Sequence, residues 1–213
     1  MNLGILGGTF NPIHRAHLRI AEEARDRFSL DRVIFVPAAD PPHKPRVGQI
    51  SFPHRLAMVQ LAISGRPEFS VSEIEGKRPG KSYTIETLRA FREQFPGDRL
   101  FFIMGSDSFA EIGTWYDYPA IFAAASLIVV GRPGSTGISL ASALPVAIAG
   151  QFCYDAAVNR LTHSSGTTVS YLDGVPLPIS SSSIRDLVRH GRSVRHLVPE
   201  RVERYIKEHT LYA

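Results

Sequence analysis

The chain has 213 residues, of which 44% are hydrophobic and 21% are charged, a composition that predicts a single globular domain over residues 1–213. This composition excludes a disordered chain, a collagen-like chain and a disulfide scaffold. The formal net charge of +4 is too small to predict nucleic-acid binding, but it suits a small anionic ligand such as a nucleotide.

Short apolar runs alternate with segments of helical periodicity along the chain. In chain order, these patterns predict a strand over 3–6, a helix over 17–28, a strand over 33–36, a helix over 53–63, a strand over 69–74, a helix over 83–95, strands over 100–104, 127–130 and 168–172, and helices over 181–190 and 199–208. Ser82 is the expected N-cap of the helix over 83–95. Residues 134–150 are rich in Gly, Ala and Ser and predict either a loop or a weak helix.

The strands are continuously apolar, which indicates that both faces of their sheet are covered. Because helices separate the strands, the expected fold is α/β: a doubly wound, Rossmann-like parallel sheet with helices on both faces and helices at the C-terminus. Ligands of such folds bind beyond the carboxyl ends of the strands. Gly7 and Gly8 follow the first strand, and Gly105 follows the strand over 100–104.

The single cysteine, Cys153, excludes an internal disulfide and is typical of a reducing compartment. Its neighbours Phe152 and Tyr154 favour a buried packing role over a catalytic thiol. The N-terminal residues lack the basic region of a signal peptide, and no apolar run approaches the roughly 20 residues of a membrane helix. We therefore expect a cytoplasmic protein without membrane contact, and no sequence feature specifies an oligomeric state.

The segment from Gly7 to His17 joins a buried strand to a helix and contains paired histidines. The glycines let the backbone approach a ligand closely, and the helix N-terminus offers N–H groups to an anion. His14 and His17 are three residues apart and fall on one face of the first helical turn, where they can donate to phosphate oxygens. A helix cap and a metal pair are the alternative interpretations, although no third metal ligand is close in sequence.

A serine run opens the helix over 181–190 and places an arginine about one turn later. Ser180 and Ser181 supply hydroxyls and backbone N–H groups, and Arg185 adds a planar cationic fork suited to phosphate. Taken alone, serines at this position more commonly act as helix caps.

Together the two segments resemble the (H/T)-x-G-H and I-S-S-T-x-I-R motifs of the nucleotidylyltransferase superfamily. Within it, the chain resembles the bacterial nicotinate-nucleotide adenylyltransferases. Further matches extend in the family's order over nearly the whole chain: Pro41-Pro42-His43-Lys44, Ser82-Tyr83-Thr84, Gly105-Ser106-Asp107-Ser108, Trp115-Tyr116 and Leu197-Val198-Pro199.

Three residues depart from the family pattern. Ala16 stands where the motif has glycine, Ser182 where it has threonine, and Asn11 where many members have aspartate. The methyl group at position 16 narrows the approach to phosphate but is tolerable on a helix, and Ser182 keeps the hydroxyl of threonine. Neither of these two changes removes a charged or proton-transferring group, so we do not interpret the chain as an inactive enzyme.

The resemblance implies transfer of AMP from ATP to nicotinate mononucleotide, which gives nicotinate adenine dinucleotide and pyrophosphate. It assigns His14, His17 and Arg185 to catalysis and to ATP binding. The other residues that it assigns to ATP are Gly7, Gly8, Thr9, Phe10, Gly105, Asp107, Ser180 and Ser181. Asp107 has a competing interpretation as a helix cap together with Ser106.

The same resemblance assigns the mononucleotide to Lys44, Thr84, Trp115, Tyr116 and Arg132. Trp115 would stack on the pyridine ring, and its competing interpretation is a core residue. Mg²⁺ is the implied cofactor, held mainly by ATP phosphates rather than by a dedicated protein metal site. The alternatives are another nucleotidylyltransferase, such as pantetheine-phosphate adenylyltransferase or a cytidylyltransferase, and a nucleotide-binding sensor without turnover.

Overall fold

The computed structural model describes residues 1–42, 48–131, 139–173 and 177–213. Eight strands form one sheet: β1 (Asn2–Gly8), β2 (Arg32–Pro37), β3 (Phe69–Val71), β4 (Arg99–Gly105), β5 (Ser126–Val130), β6 (Phe152–Asp155), β7 (Arg160–His163) and β8 (Thr168–Leu172). The helices are α1 (Arg15–Arg27), α2 (Phe52–Ile63), α3 (Ile74–Lys77), α4 (Thr84–Gln94), α5 (Ser106–Ala110), α6 (Tyr118–Ala124), α7 (Leu140–Ala143), α8 (Ser181–Arg189) and α9 (Glu200–Glu208).

The sheet order is β3-β2-β1-β4-β5-β8-β7-β6. The first six strands in this order, β3-β2-β1-β4-β5-β8, pair in parallel. Strands β7 and β6 add an antiparallel hairpin at the β8 edge. The chain moves outward from β1 to β2 and β3, and then returns to place β4 on the other side of β1. The carboxyl ends of β1 and β4 therefore flank the point where the winding reverses, which is where open α/β sheets bind ligands.

The inner strands bury both faces, as their continuous apolar sequence predicts. In β2, Val33 and Phe35 pack against one core cluster, and Ile34 and Val36 pack against the other. Helices α1, α2, α8 and α9 cover the first cluster, and α4 to α7 cover the second. The predicted α/β fold with helices on both faces is confirmed.

Several local predictions need correction. The predicted strand over 69–74 ends at Val71, and Ile74 instead begins α3. The N-cap of α4 is Tyr83 and not Ser82. The Ser82 hydroxyl instead accepts the backbone N–H groups of Ala39 and Asp40 at 3.0 Å each.

The hairpin of β6 and β7 was not predicted, and it leaves Cys153 exposed rather than packed. In the described part of residues 134–150, α7 and a 3-10 helix over Val146–Gln151 follow the weak-helix interpretation. Across the described ranges, the helices are too short or too polar to span a bilayer.

Candidate active site

Two adjoining clefts open at the carboxyl ends of β1 and β4. The larger has a volume of about 910 Å³, and the smaller has a volume of about 220 Å³. Their linings share Gly7, Gly8, Thr9 and Ser108. A group bound in one cleft can therefore reach a group bound in the other across the end of β1.

The loop between β1 and α1, residues 9–14, separates the two clefts, and we call it the border loop. Its Phe10 side chain is buried and packs edge-on against the His17 ring at 5.1 Å, while the Phe10 backbone has a left-handed φ of 47°. A Cβ on Gly8 would lie 3.0 Å from the Phe10 ring, so a side chain there would push the loop outward. Glycine at position 8 thus allows the loop to turn tightly beside a ligand.

His14 and His17 lie together at the start of α1, as their spacing predicts. Their rings stack with centroids 3.7 Å apart, and the His14 backbone N–H donates to His17 Nδ1 at 3.2 Å. A neutral His17 with Nδ1 as acceptor carries its proton on Nε2, so that nitrogen is a donor. Both histidines line the larger cleft.

His14 is the N-cap of α1, as the capping interpretation has it for one of the two histidines, and burial also changes its electrostatics. Burial lowers the pKa of His14 from 6.5 to about 4, so its ring is neutral near pH 7. Among the described residues, nothing forms a hydrogen bond with its buried Nδ1. An unpaired buried polar atom is unfavourable for the stability of the folded protein.

Arg185 extends from α8 to the same loop. Its Nη1 donates to the Asn11 carbonyl at 2.9 Å, and the guanidinium lines the larger cleft. The Asn11 side chain is held in turn, because its Oδ1 accepts the Tyr212 hydroxyl at 2.9 Å and its Nδ2 donates to the Gly48 carbonyl at 3.0 Å. The chain terminus and α8 thereby brace the border loop.

The serine hydroxyls at the start of α8 already have protein partners. Ser180 is the N-cap and accepts the Ser183 N–H at 3.1 Å, and the Ser181 hydroxyl donates to the Pro12 carbonyl at 2.9 Å. The capping interpretation is therefore correct for Ser180. The first N–H groups of a helix have no partner within the helix, so those of Ser181 and Ser182 at the start of this nine-residue helix can bind an anion in the cleft.

The larger cleft brings together every residue that the sequence assigned to ATP. Gly105 is the last residue of β4 and Asp107 lies in the helix that follows it, and both line the larger cleft together with the histidines. Gly105 is the N-cap of α5, and Asp107 lies within the first turn of that helix, so the interpretation of Asp107 as its N-cap is wrong.

The smaller cleft collects the described residues assigned to the mononucleotide. Thr84, at the start of α4, lines it together with Trp115 and Tyr116. Trp115 is partly buried, with its ring edge-on to Phe102 at 6.4 Å, whereas Tyr116 is 55% exposed. Trp115 thus packs against the core and also contributes to the cleft wall. Lys44 and Arg132, together with His43, lie outside the described residues.

Sequence reasoning missed Arg55, which is only 1% exposed and holds the ends of β1 and β2 together. Its guanidinium donates to the carbonyls of Thr9 at 2.8 Å, Ala38 at 2.6 Å, Ala39 at 3.4 Å and Ile50 at 3.3 Å. Burial lowers the pKa of Arg55. Its position on the face that α2 buries, three residues before Met58, was a usable signal.

Sequence reasoning also missed Glu75, which is 8% exposed and lines the smaller cleft. Its Oε1 accepts the Thr87 hydroxyl at 2.7 Å. The position offered no signal, because the sequence places it one residue after a segment that was predicted to be a strand.

Comparison with known proteins identifies the chain's relatives. A family model described as cytidylyltransferase-like matches residues 5–187. A probable nicotinate-nucleotide adenylyltransferase of Geobacter sulfurreducens is 61% identical over 213 residues, covering 100% of this chain and 99% of the relative. Another from Citrifermentans bemidjiense is 63% identical over 212 residues, covering 100% and 98%.

The chain belongs to the cytidylyltransferase-like family, among the nicotinate-nucleotide adenylyltransferases. The resemblance stated from the sequence motifs is thereby confirmed.

Solved structures of this family agree with the fold. Plasmodium falciparum nicotinic acid mononucleotide adenylyltransferase complexed with NaAD superposes with a TM-score of 0.74 at 18% identity, covering 99% of this chain and 97% of that chain. The same protein complexed with APC gives a TM-score of 0.72 at 18% identity, covering 99% and 96%. The likeness supports the Rossmann-like nucleotidyltransferase architecture.

The main departure from the family motif, Ala16, lies in α1 beside the two histidines. It is 6% exposed and lines the larger cleft. Its methyl group therefore lies in the cleft wall at the position where the family motif has glycine.

Proposed function

We propose that this chain is a nicotinate-nucleotide adenylyltransferase that transfers AMP from ATP to nicotinate mononucleotide, releasing pyrophosphate. The observation that carries the proposal is the pair of clefts joined at Gly8 and Thr9, one with phosphate-type donors and the other with an aromatic wall. Residues 1–213 act as one nucleotidyltransferase domain, and the reaction takes place in the cytoplasm.

The larger cleft suits the triphosphate of ATP. His14, His17, Arg185 and the N-terminus of α8 place neutral and cationic donors around one volume, which fits a polyanion. The backbone from Gly7 to Phe10 approaches the reacting phosphorus, and Gly105 and Asp107 face the adenosine. Lys44 and Arg132 are proposed to add positive charge near the mononucleotide.

Mg²⁺, when bound together with ATP, would supply positive charge that offsets the negative charge of the phosphates. No group of three or more His, Cys, Asp or Glu side chains within the described ranges is arranged to hold a metal. The carboxylate that the larger cleft offers is Asp107. This sparse donor set fits an ion that arrives with ATP and keeps most of its water and phosphate ligands.

The transfer requires positioning more than proton removal. The mononucleotide phosphate is already a nucleophile, and its oxygen attacks the α-phosphorus while the bond to pyrophosphate breaks. The protein holds two anions in line and stabilises the charge that develops on the transferred phosphoryl group. The His17 Nε2–H and the Arg185 guanidinium are the donors that we assign to this task.

The smaller cleft suits the acceptor's pyridine ring. Trp115 offers an aromatic face, and the first turn of α4 at Thr84 offers backbone N–H groups to a carboxylate. An amide NH₂ facing these donors leaves them unpaired, at about 1–3 kcal/mol per lost partner. Two such donors predict a preference of about 10²-fold or more in kcat/KM for the nicotinate over the nicotinamide mononucleotide.

An acceptor panel tests the proposed function. Purified protein is incubated with ATP and Mg²⁺ plus nicotinate mononucleotide, nicotinamide mononucleotide or phosphopantetheine, and pyrophosphate release is followed. We expect the fastest release with nicotinate mononucleotide. Release with phosphopantetheine alone would favour the alternative nucleotidylyltransferase, and release with none would favour a sensor. Equal kcat/KM for the two pyridine mononucleotides would contradict the backbone anion site at Thr84.

A further inference from the structure

The buried carboxyl of Glu75 has no task in the phosphate chemistry, yet it lines the smaller cleft. The Thr87 hydroxyl pairs with its Oε1, whereas its buried Oε2 has no hydrogen-bond partner within the described ranges. Thr84 and Trp115, the residues that we assign to the pyridine ring, line the same small cleft. A ring held there therefore lies near a carboxyl oxygen that lacks a partner.

The surroundings of Glu75 oppose and favour its ionisation at the same time. Burial raises the pKa of the Glu75 carboxyl, and the Thr87 hydroxyl opposes that rise. The Ser82 side chain and the Ala39 backbone also favour the ionised form. Two guanidinium groups act in the same direction, from Arg78 at the end of α3 and from Arg55 on α2. Arg78 Nη2 donates to Thr87 Oγ1 at 3.3 Å, and the same Thr87 hydroxyl donates to Glu75 Oε1. Thr87, on α4, therefore links Arg78 to Glu75.

Two charged pairs adjoin this network. Arg78 Nε lies 3.3 Å from Glu86 Oε2 on α4, which offsets part of the positive charge of Arg78. Lys81 Nζ is 3.1 Å from Asp40 Oδ2, and the Ser82 hydroxyl accepts the Asp40 backbone N–H. Because the lysine and the aspartate neutralise one another, the pair adds little net potential at Glu75. Glu111 also lines the smaller cleft, but it is exposed, whereas Glu75 is buried. Among the described residues that line this cleft, Glu75 is therefore the buried carboxyl whose proton can change the local charge.

The two protonation states of Glu75 present opposite chemistry to a pyridine substituent. A neutral carboxyl can donate its Oε2–H to an acceptor's carboxylate, whereas an ionised carboxyl repels that group. An ionised carboxyl can instead accept a hydrogen bond from the NH₂ of an amide. A single proton thus decides which substituent is accommodated.

We propose that Glu75 is a specificity-determining residue, whose neutral carboxyl pairs with the carboxylate of the acceptor and whose ionisation shifts preference toward the amide. The proposal rests on the proposed function, because it requires a pyridine mononucleotide in the smaller cleft.

The proposal predicts a pH dependence of defined sign. The preference for the acid is complete below the Glu75 pKa and declines as the pH rises through it. Above that pKa, the fraction of neutral carboxyl falls about tenfold per pH unit, and the ratio of kcat/KM for acid over amide falls with it. The ratio cancels titration of the ATP site and of the acceptor phosphate, because both acceptors share them.

The test measures kcat/KM for nicotinate and nicotinamide mononucleotides between about pH 5.5 and 9. We expect the acid-over-amide ratio to fall as the pH rises in the unmodified protein. Glu75→Gln, which stays neutral, should give a ratio that does not change with pH. Thr87→Val removes a donor that stabilises the ionised form, so it should move the fall to higher pH. KM for ATP reports that the larger cleft remains intact in each variant.

A ratio that is independent of pH in the unmodified protein would overturn the assignment, as would a Glu75→Gln variant that keeps the original slope. In both cases turnover of the two mononucleotides leaves the proposed function standing. Turnover of neither mononucleotide would overturn the proposed function and the role of Glu75 with it.

Discussion

His14 and His17 show how two like residues acquire different tasks from their places in one helix turn. His14 is buried and neutral, and its backbone N–H fixes the His17 ring through Nδ1. His17 is only partly buried and carries its donor on Nε2. The spacing of the pair was evident in the sequence, but the direction of this hydrogen bond required the folded backbone.

Substitution of His17 tests its assignment to the transition state. His17→Ala removes a preorganised donor where charge develops, so kcat should fall by about 10²-fold or more, with a smaller change in KM for ATP. Steady-state kinetics with varied ATP measures both values. His190→Ala, an exposed histidine on the far end of α8, serves as the matched control and should retain full activity. A near-normal kcat with a raised KM would assign His17 to uniform substrate binding.

Substitution of Arg185 by lysine tests whether the planar guanidinium group is needed. The guanidinium can bond Asn11 and a phosphate at once, whereas a lysine ammonium cannot reproduce that geometry. Arg185→Lys should therefore lower kcat/KM for ATP by about tenfold or more. Arg189→Lys, one turn later and paired with Asp186 at 3.5 Å, should have no effect. A fully active Arg185→Lys enzyme would indicate that Arg185 only holds the border loop in place through Asn11 and does not bind phosphate.

At the scale of elements, the sequence predicted what depends on periodicity and missed what depends on distant contacts. Both faces of β2 and the amphipathic α1 followed directly from their residue patterns. The edge hairpin was missed because β6 is a mostly exposed strand without a buried apolar run. Helix α3 was missed because four residues are too short to show a helical period.

Arg55 is the clearest case of a tertiary contact that holds elements in place. Arg55→Met leaves several buried carbonyls without a donor, so the free energy of unfolding should fall by about 3 kcal/mol or more. Urea denaturation measures this loss. Arg66→Met, which removes a partly exposed ion pair with Glu22 near the end of α2, should cost no more than about 1 kcal/mol. Equal losses for the two variants would contradict the role of Arg55 in joining β1 to β2.

At the level of the whole molecule, the lowered pKa of His14 makes the free energy of unfolding depend on pH. The unfolded chain binds a proton at His14 near pH 6.5, whereas the folded chain does so only near pH 4. The contribution of His14 is therefore complete above about pH 6.5 and is lost as the pH falls toward 4. This shift corresponds to about 3 kcal/mol of unfolding free energy.

Denaturant titrations at several pH values measure this dependence, and His14→Asn should flatten the part that belongs to His14. Burial also lowers the pKa of His163, so a His163→Asn variant separates the second contribution, which has the same sign. A His14→Asn protein with an unchanged pH profile would show that His14 titrates normally in the folded state.

The whole fold also explains why the clefts adjoin. The sheet winds outward in opposite directions from β1 and β4, and Gly8, at the end of β1, lines both the larger and the smaller cleft. The residues assigned from motifs came together because each follows a strand or starts a helix at that edge. Glu75 lines the smaller cleft, and Arg55 and Tyr212 hold the border loop through Thr9 and Asn11. The fold rather than a local pattern brings these three residues there.

The central claim is that AMP passes from ATP to a mononucleotide across the border loop. The most direct measurement follows ATP labelled at its α-phosphorus, incubated with Mg²⁺ and nicotinate mononucleotide, through separation of the products. We predict that the label moves into a dinucleotide while unlabelled pyrophosphate is released in equal amount. Label that remains in ATP, or that appears as free AMP, would contradict the claim.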